Sequence, residues 1–153
     1  MAIRHTLHNT LETTAPPEAL WAIVGDLAGC SVWTPGIASV TVEPMDASGR
    51  QTTRVCTFAD GSVQHERIDD YSPAERSYRY DIKGGPMPLV FNQGRLAVRA
   101  KPGGSQLVWD AEIEPADAAM AAQLVPMLDG AYKEVLAGLK KLVEEKATAG
   151  AAR

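Results

Sequence analysis

The stretch Arg54–Ile68, RVCTFADGSVQHERI, holds two runs of strand-forming residues separated by Ala-Asp-Gly, and the way that turn closes sets which side chains meet. If Ala59, Asp60 and Gly61 form a three-residue loop with glycine at the left-handed position, Phe58 faces Ser62 and Arg54 faces Glu66. If the loop is instead the two-residue Asp60-Gly61 turn, the register moves by one. Arg54 then faces Arg67, and Glu66 faces Val55 on the other side of the sheet. Like charges directly opposite one another are destabilising, so the three-residue loop is preferred. It sets Cys56, Phe58 and Ile68 beside an Arg54–Glu66 pair.

Outward from this hairpin, strand composition recurs at 37–42, 51–58, 63–71, 77–83, 89–100 and 106–114, with 4–13 alternating in the same way near the amino end. The separators are SG, DG, SP, GGPMP and PGG, all turn signals, so the six later strands form an antiparallel meander. Between the first strand and this meander, Pro17 opens a helix carrying Leu20, Ile23 and Val24, and a second short helix is expected over 27–33 before Thr34-Pro35-Gly36. From Asp117 to Glu145 the period changes to that of a helix, with Leu124, Leu128, Tyr132, Val135, Leu139 and Leu142 on one face. The expectation is an α+β chain with one domain over 1–146 and a frayed tail over 147–153. A seven-stranded curved antiparallel sheet would wrap around the long C-terminal helix, with two short helices after strand one. One helix cannot fill the concavity of so wide a sheet, so an internal cavity is expected between them.

Length and composition agree with this. At 153 residues the chain has room for one sizeable core. A net charge of -4, without a basic stripe, argues against a nucleic-acid partner. The amino terminus lacks the apolar core of a signal peptide and no apolar run is long enough to cross a bilayer, so a cytoplasmic protein without a membrane partner is expected. Cys30 and Cys56 have no CxxC spacing and are expected as buried thiols. His5 and His8 fall on opposite faces of a strand, so no metal is expected, and nothing calls for a cofactor.

With these elements in order, the segments ALWAIVGDLAGCSVWTPGI, TRVCTFADGSVQHERI, YRYDIKGGPMPLVFN, SQLVWDAEIEP and YKEVLAGLKKL resemble the START and Bet v 1-like (SRPBCC) superfamily, in its polyketide cyclase/dehydrase-like branch. The resemblance covers 6–143 and implies a helix-grip fold. Such folds host cyclases, dehydratases, isomerases, hormone receptors and lipid carriers, so activity has to be argued from the site. Arg54 and Glu66 match a polar pair that, in related plant enzymes acting on sulfenic acids, is thought to move a proton. Glu66-Arg67-Ile68 also resembles the Glu-Arg-Leu segment through which plant abscisic-acid receptors contact their ligand. Trp33-Thr34-Pro35 departs from a common Trp-His-Pro, and Asn92 stands where relatives place a tyrosine. Met87-Pro88-Leu89 replaces the receptors' His-Arg-Leu latch, and the Ala59-Asp60-Gly61 loop is too short for their gate, so hormone reception is not expected.

The chemistry expected of the pair is proton transfer. In an apolar cavity desolvation works against the Glu66 carboxylate and the neighbouring guanidinium works for it, which suits a general base near neutral pH. Arg54 keeps its proton and would stabilise an enolate or carbonyl oxygen. The competing reading is a plain cross-strand salt bridge. Around the pair, Trp33, Cys56, Phe58, Ile68, Tyr78, Tyr80, Met87, Asn92, Trp109, Leu124, Met127 and Leu128 are the candidate substrate-binding residues, with core packing as the alternative for each. Met87, between Pro86 and Pro88, would sit at the rim. The function expected is a cofactor-independent cyclase/dehydratase-like enzyme acting on a small to medium hydrophobic, oxygenated substrate. A non-catalytic carrier or sensor of a hydrophobic small molecule is the alternative, and a subunit of a larger assembly the third reading. Self-association as a homodimer is left open.

Overall fold

The computed structural model describes residues 3–151. The strands are β1 (His5–Thr13), β2 (Ile37–Val42), β3 (Thr52–Phe58), β4 (Val63–Ser72), β5 (Ser77–Gly84), β6 (Leu89–Lys101) and β7 (Gly104–Pro115). They form one antiparallel sheet in the order β1-β7-β6-β5-β4-β3-β2, the meander read from the turn residues, with β1 closing against β7. Helix α1 (Pro17–Val24) and a 3-10 helix (Leu27–Val32) follow β1, and helix α2 (Ala121–Ala151) crosses the concave side. This is the helix-grip architecture expected from the sequence.

Alternation along each strand selects what faces the helix. On β1, Leu7, Asn9, Leu11 and Thr13 are buried while the residues between them are exposed or half-buried. The apolar inward residues form two clusters. The larger gathers Leu20, Val24 and Leu27 with Ile68, Tyr78, Leu96, Leu107, Leu136, Leu139 and Val143. The smaller holds Leu7, Ala111, Ile113, Leu124 and Leu128 beneath the first half of α2. Trp109 packs on the first cluster and Tyr132 on the second, and their rings stack at 4.0 Å and 17°, joining the two.

The long helix differs from expectation at both ends. Residues Ala118–Met120 form a separate 3-10 turn, with Asp117 accepting a hydrogen bond from the Ala119 backbone N–H, so α2 starts at Ala121. Pro126 lies within α2, early enough that it removes only one main-chain bond near the start. At the other end the helix does not give way to a tail at 147 but runs on to Ala151, because the alanine-rich ATAGA carries no stop. Residues 152–153, the rest of the expected tail, lie outside the described residues.

Candidate functional site

The β3–β4 hairpin closes through the three-residue loop. Phe58 N–H donates to Ser62 O at 2.9 Å, Gly61 N–H to Phe58 O at 2.9 Å, and Gly61 takes the φ of 88° that a side chain would resist. Asp60 Oδ1 fixes the turn by accepting from Ser62 N–H at 2.8 Å. The register that follows pairs Arg54 with Glu66 and Cys56 with Gln64. Because side chains alternate, these four leave the sheet on one face, and Glu66 is reached from opposite, from the diagonal and from its own strand.

The result is a buried carboxylate with three donors. Arg54 Nη2 donates to Glu66 Oε1 at 2.9 Å, Cys56 Sγ to Oε2 at 2.9 Å, and Gln64 Nε2 to Oε2 at 3.2 Å. Arg54 and Glu66 are each 3% exposed, so the cross-strand salt bridge they form is a buried one, not a pair at the surface. A carboxylate has about four acceptor positions, so roughly one remains for a ligand. Arg54 Nη1 donates to Leu27 O at 3.3 Å, tying β3 to the 3-10 helix, while Arg54 Nε has no hydrogen-bond partner among the described residues.

This pair opens into a cavity of ≈ 260 Å³ between sheet and helix. Ten of the expected site residues line it: Arg54 and Glu66, with Trp33, Phe58, Tyr78, Tyr80, Met87, Asn92, Trp109 and Leu128. Pro86 and Met87 stand at its rim, Met87 being 36% exposed. Wider grooves of ≈ 490 and ≈ 530 Å³ lie elsewhere. The first is lined by outward-facing His65, Arg67, Asp81 and Lys83, and the second by His8, Glu12, Lys133 and Lys140 beside α2. Both are more open to solvent than the cavity between sheet and helix.

Four expected lining residues are placed differently. Cys56 is fully buried and reaches the cavity only through Glu66. Ile68 is fully buried in the larger core cluster, and Leu124 belongs to the smaller one with Leu7, Ala111 and Ile113. Met127 is 52% exposed. The inward stripe of α2 here is Leu124, Leu128, Ala131, Tyr132 and Val135, and Met127 sits about 100° around the helix from Leu128. Conversely, Gln64, Cys30, Thr34 and Ala131 line the cavity and were not among the candidates. Gln64 was legible, since it lies two residues from Glu66 on the same strand face. Cys30 arrives from the 3-10 helix and Thr34 from the turn after it, and neither carried such a signal.

The electrostatics follow from burial and from the one guanidinium. Burial works against the charge of Arg54, but Tyr78, Glu66 and Cys30 outweigh it and hold the group above its ordinary value. Burial pushes the Tyr78 phenol up to about 12, with Arg54 opposing. Burial raises Tyr80 as well, and pushes Tyr132 up to about 12 against the easing effect of the neighbouring Tyr80 hydroxyl. All three phenols therefore carry their protons at neutral pH. Tyr80 Oη accepts from Trp109 Nε1 at 2.8 Å. The adjoining Cys56 thiol brings Cys30 down to about 7 in spite of burial, with Arg54 and Thr34 assisting, while Cys56 itself is raised. No three His, Cys, Asp or Glu groups among the described residues converge as a metal would require, and no described helix is long and apolar enough to cross a membrane.

A curved antiparallel sheet gripping a C-terminal helix, with a polar pair buried beside an aromatic cavity, defines a helix-grip domain of the START kind. The chain belongs to the polyketide cyclase / dehydrase and lipid transport family, whose model matches residues 4–144. It is 26% identical over 145 residues to an uncharacterised protein of Mycobacterium tuberculosis, covering 93% of this chain and 86% of that one. Its fold is that of the Zhui aromatase/cyclase from a Streptomyces species, with TM-score 0.78, 14% identity, and 95% and 96% of the two chains covered. A START superfamily protein from Mycobacterium smegmatis matches at TM-score 0.75 and 19% identity, covering 92% of this chain and 98% of that one. Family and fold support a ligand-binding or cyclase role at the level of the family.

Proposed function

We propose that this protein is a cofactor-independent enzyme of the cyclase/dehydratase type, with Glu66 as acid/base and Arg54 as the partner of the developing oxyanion. The substrate would be a small to medium hydrophobic, oxygenated molecule held in the internal cavity. The observation that carries the reading is the position of the pair. A charged couple 3% exposed yet lining a cavity keeps about one carboxylate acceptor position and the Arg54 Nε–H without a partner among the described residues. Glu66 would take a proton from the carbon next to a carbonyl while Arg54 Nε–H stabilises the resulting enolate oxygen. Return of that proton to carbon or to a departing hydroxyl would complete isomerisation or dehydration.

The test is exchange of the protons next to the carbonyl of α-tetralone in deuterated water, followed by NMR, with wild type and Glu66→Gln. The expected result is exchange accelerated by wild type and reduced about 10²–10⁴-fold in the variant, with affinity for the ketone retained. Equal exchange by the two proteins would remove Glu66 as the base.

A second reading has its own support. Three donors already hold Glu66, as they would a fixed anchor in a binding protein for a hydrophobic small molecule. Ketone binding without accelerated exchange is the outcome that favours this carrier.

A further inference from the structure

The polar atoms of the cavity wall are unevenly used. Trp109 Nε1 and Tyr80 Oη satisfy one another, and Glu66 takes three donors. By contrast three donors, Tyr78 Oη, Arg54 Nε and Trp33 Nε1, and one acceptor on β6, Asn92 Oδ1, are buried and have no partner among the described residues. Tyr78 is 1% exposed and Arg54 3%. Buried donors left unpaired are rare, and each one costs stability unless something fills it.

Tyr78 is the most constrained of the three. Its ring lies 6.4 Å from that of Trp21 and 6.3 Å from that of Tyr71, on the side of the larger core cluster. The Arg54 guanidinium carbon stands 5.8 Å from the ring centroid. A ring held in this way cannot swing its hydroxyl elsewhere. With its pKa pushed up to about 12, that hydroxyl is a donor throughout the neutral range. Beside the ring stands the Arg54 guanidinium, whose N–H groups are all donors, and no described residue offers the Tyr78 hydroxyl an acceptor.

Size adds a second constraint. An apolar cavity of ~150 Å³ accommodates one benzene, and the ≈ 260 Å³ here is roughly 1.7 times that. It is below the usual range of about 300–1,000 Å³ for small-molecule pockets. Leu128, Trp109 and Tyr132 give the wall flat apolar surface suited to rings, with the polar Thr34, Gln64 and Asn92 beside it.

We propose that Tyr78 Oη and Arg54 Nε form a carbonyl-oxygen subsite, and that the ligand of this cavity is a compact one- or two-ring carbonyl compound selected by Tyr78. This rests on the cavity being a ligand site, as above, but not on Glu66 acting as a base. Tyr78 is thereby a specificity-determining residue.

The test measures dissociation constants by quenching of tryptophan fluorescence, which Trp33 and Trp109 in the cavity wall report. The probes are α-tetralone, its hydrocarbon counterpart tetralin and the three-ring ketone anthrone, against wild type and Tyr78→Phe. Wild type is expected to bind α-tetralone about tenfold more tightly than tetralin, the difference of one or two buried hydrogen bonds. Tyr78→Phe should reduce that ratio to about threefold, Arg54 Nε remaining, while tetralin affinity stays unchanged and shows the cavity intact. Anthrone should bind about tenfold less tightly than α-tetralone. Equal affinity for α-tetralone and tetralin, a ratio indifferent to Tyr78→Phe, or anthrone binding as well as α-tetralone would overturn the proposal. Binding of none of the three overturns it together with the cavity reading. A lost carbonyl preference alongside exchange that still depends on Glu66 would remove the subsite and leave the base standing; an intact preference with exchange indifferent to Glu66→Gln would do the reverse.

Discussion

Replacing Arg54 by methionine would leave the Glu66 carboxylate 3% exposed, with only the Cys56 thiol and the Gln64 amide to satisfy it. Breaking a buried pair by removing one partner costs about 3–5 kcal/mol, because the remaining charge is desolvated without compensation. Glu66→Met should cost a similar amount by stranding the guanidinium. The double variant behaves differently. Two methionines of comparable length replace the pair with apolar packing, and such exchanges are often neutral or stabilising. Against this stand the loss of the Arg54 Nη1 bond to Leu27 O and of the acceptor for Cys56 and Gln64, together about 1–2 kcal/mol. The double variant should therefore lie within about 2 kcal/mol of wild type, far short of the sum of the singles. In urea, with a slope of about 2 kcal/mol per molar, each single should lower the unfolding midpoint by about 2 M, and the double by no more than about 1 M. The cycle gives a coupling above about 3 kcal/mol. Single variants costing under about 1 kcal/mol, or a double equal to their sum, would refute the buried, mutually dependent pair.

Iodoacetamide labelling followed by peptide mass spectrometry should find Cys30, which lines the cavity, and leave the fully buried Cys56 unmodified. As Cys30 is lowered to about 7, its thiolate fraction and labelling rate should rise with pH through about 7, where an ordinary thiol would still be protonated; Cys56→Ala should shift that profile upward. Gly94→Ala would put a Cβ 2.3 Å from Tyr80 Oη and 2.8 Å from Asp110 O, so Tyr80 must move and release Trp109 Nε1. The expected loss is about 2–3 kcal/mol with a change in tryptophan fluorescence, and a loss under about 1 kcal/mol would contradict the packing. Thr13→Val removes the bond to Glu144 Oε2 at 2.8 Å, which ties β1 to the far end of α2, and the bond accepted from Ala15 N–H at 3.2 Å. Urea unfolding should register a loss of about 1–2 kcal/mol, and no change would mean the helix is held there by its apolar face alone.

The order of elements was legible because it rests on local rules: turn residues between alternating runs, a proline opening α1, and a change of period at the start of the long helix. The Arg54–Glu66 pairing was legible for the same reason. Glycine at position 61 favours the three-residue loop, the loop fixes the register, and alternation then sets both side chains on the face of Cys56 and Gln64. The helical stretch after 147 was misjudged because the alanines that continue a helix resemble, in composition, a small-residue tail.

Sequence by itself thus determined the strands, their antiparallel order and the one ion pair that a hairpin can encode. Tertiary structure alone decided what surrounds that pair. A helical stripe of apolar residues says that α2 has a buried face, but its rotation against the sheet put Ala131 on the cavity beside Tyr132 and left Met127 half exposed. Tyr78 and Tyr80 share one strand face and one alternation, yet only Tyr80 finds the Trp109 indole, while Tyr78 is left with an unused hydroxyl beside Arg54. Cys30 meets Arg54 and Glu66 from a segment far away in sequence. Periodicity fixes the direction of a side chain relative to its own element; which groups converge depends on how elements pack, and that is set by the sum of many small contacts across the chain.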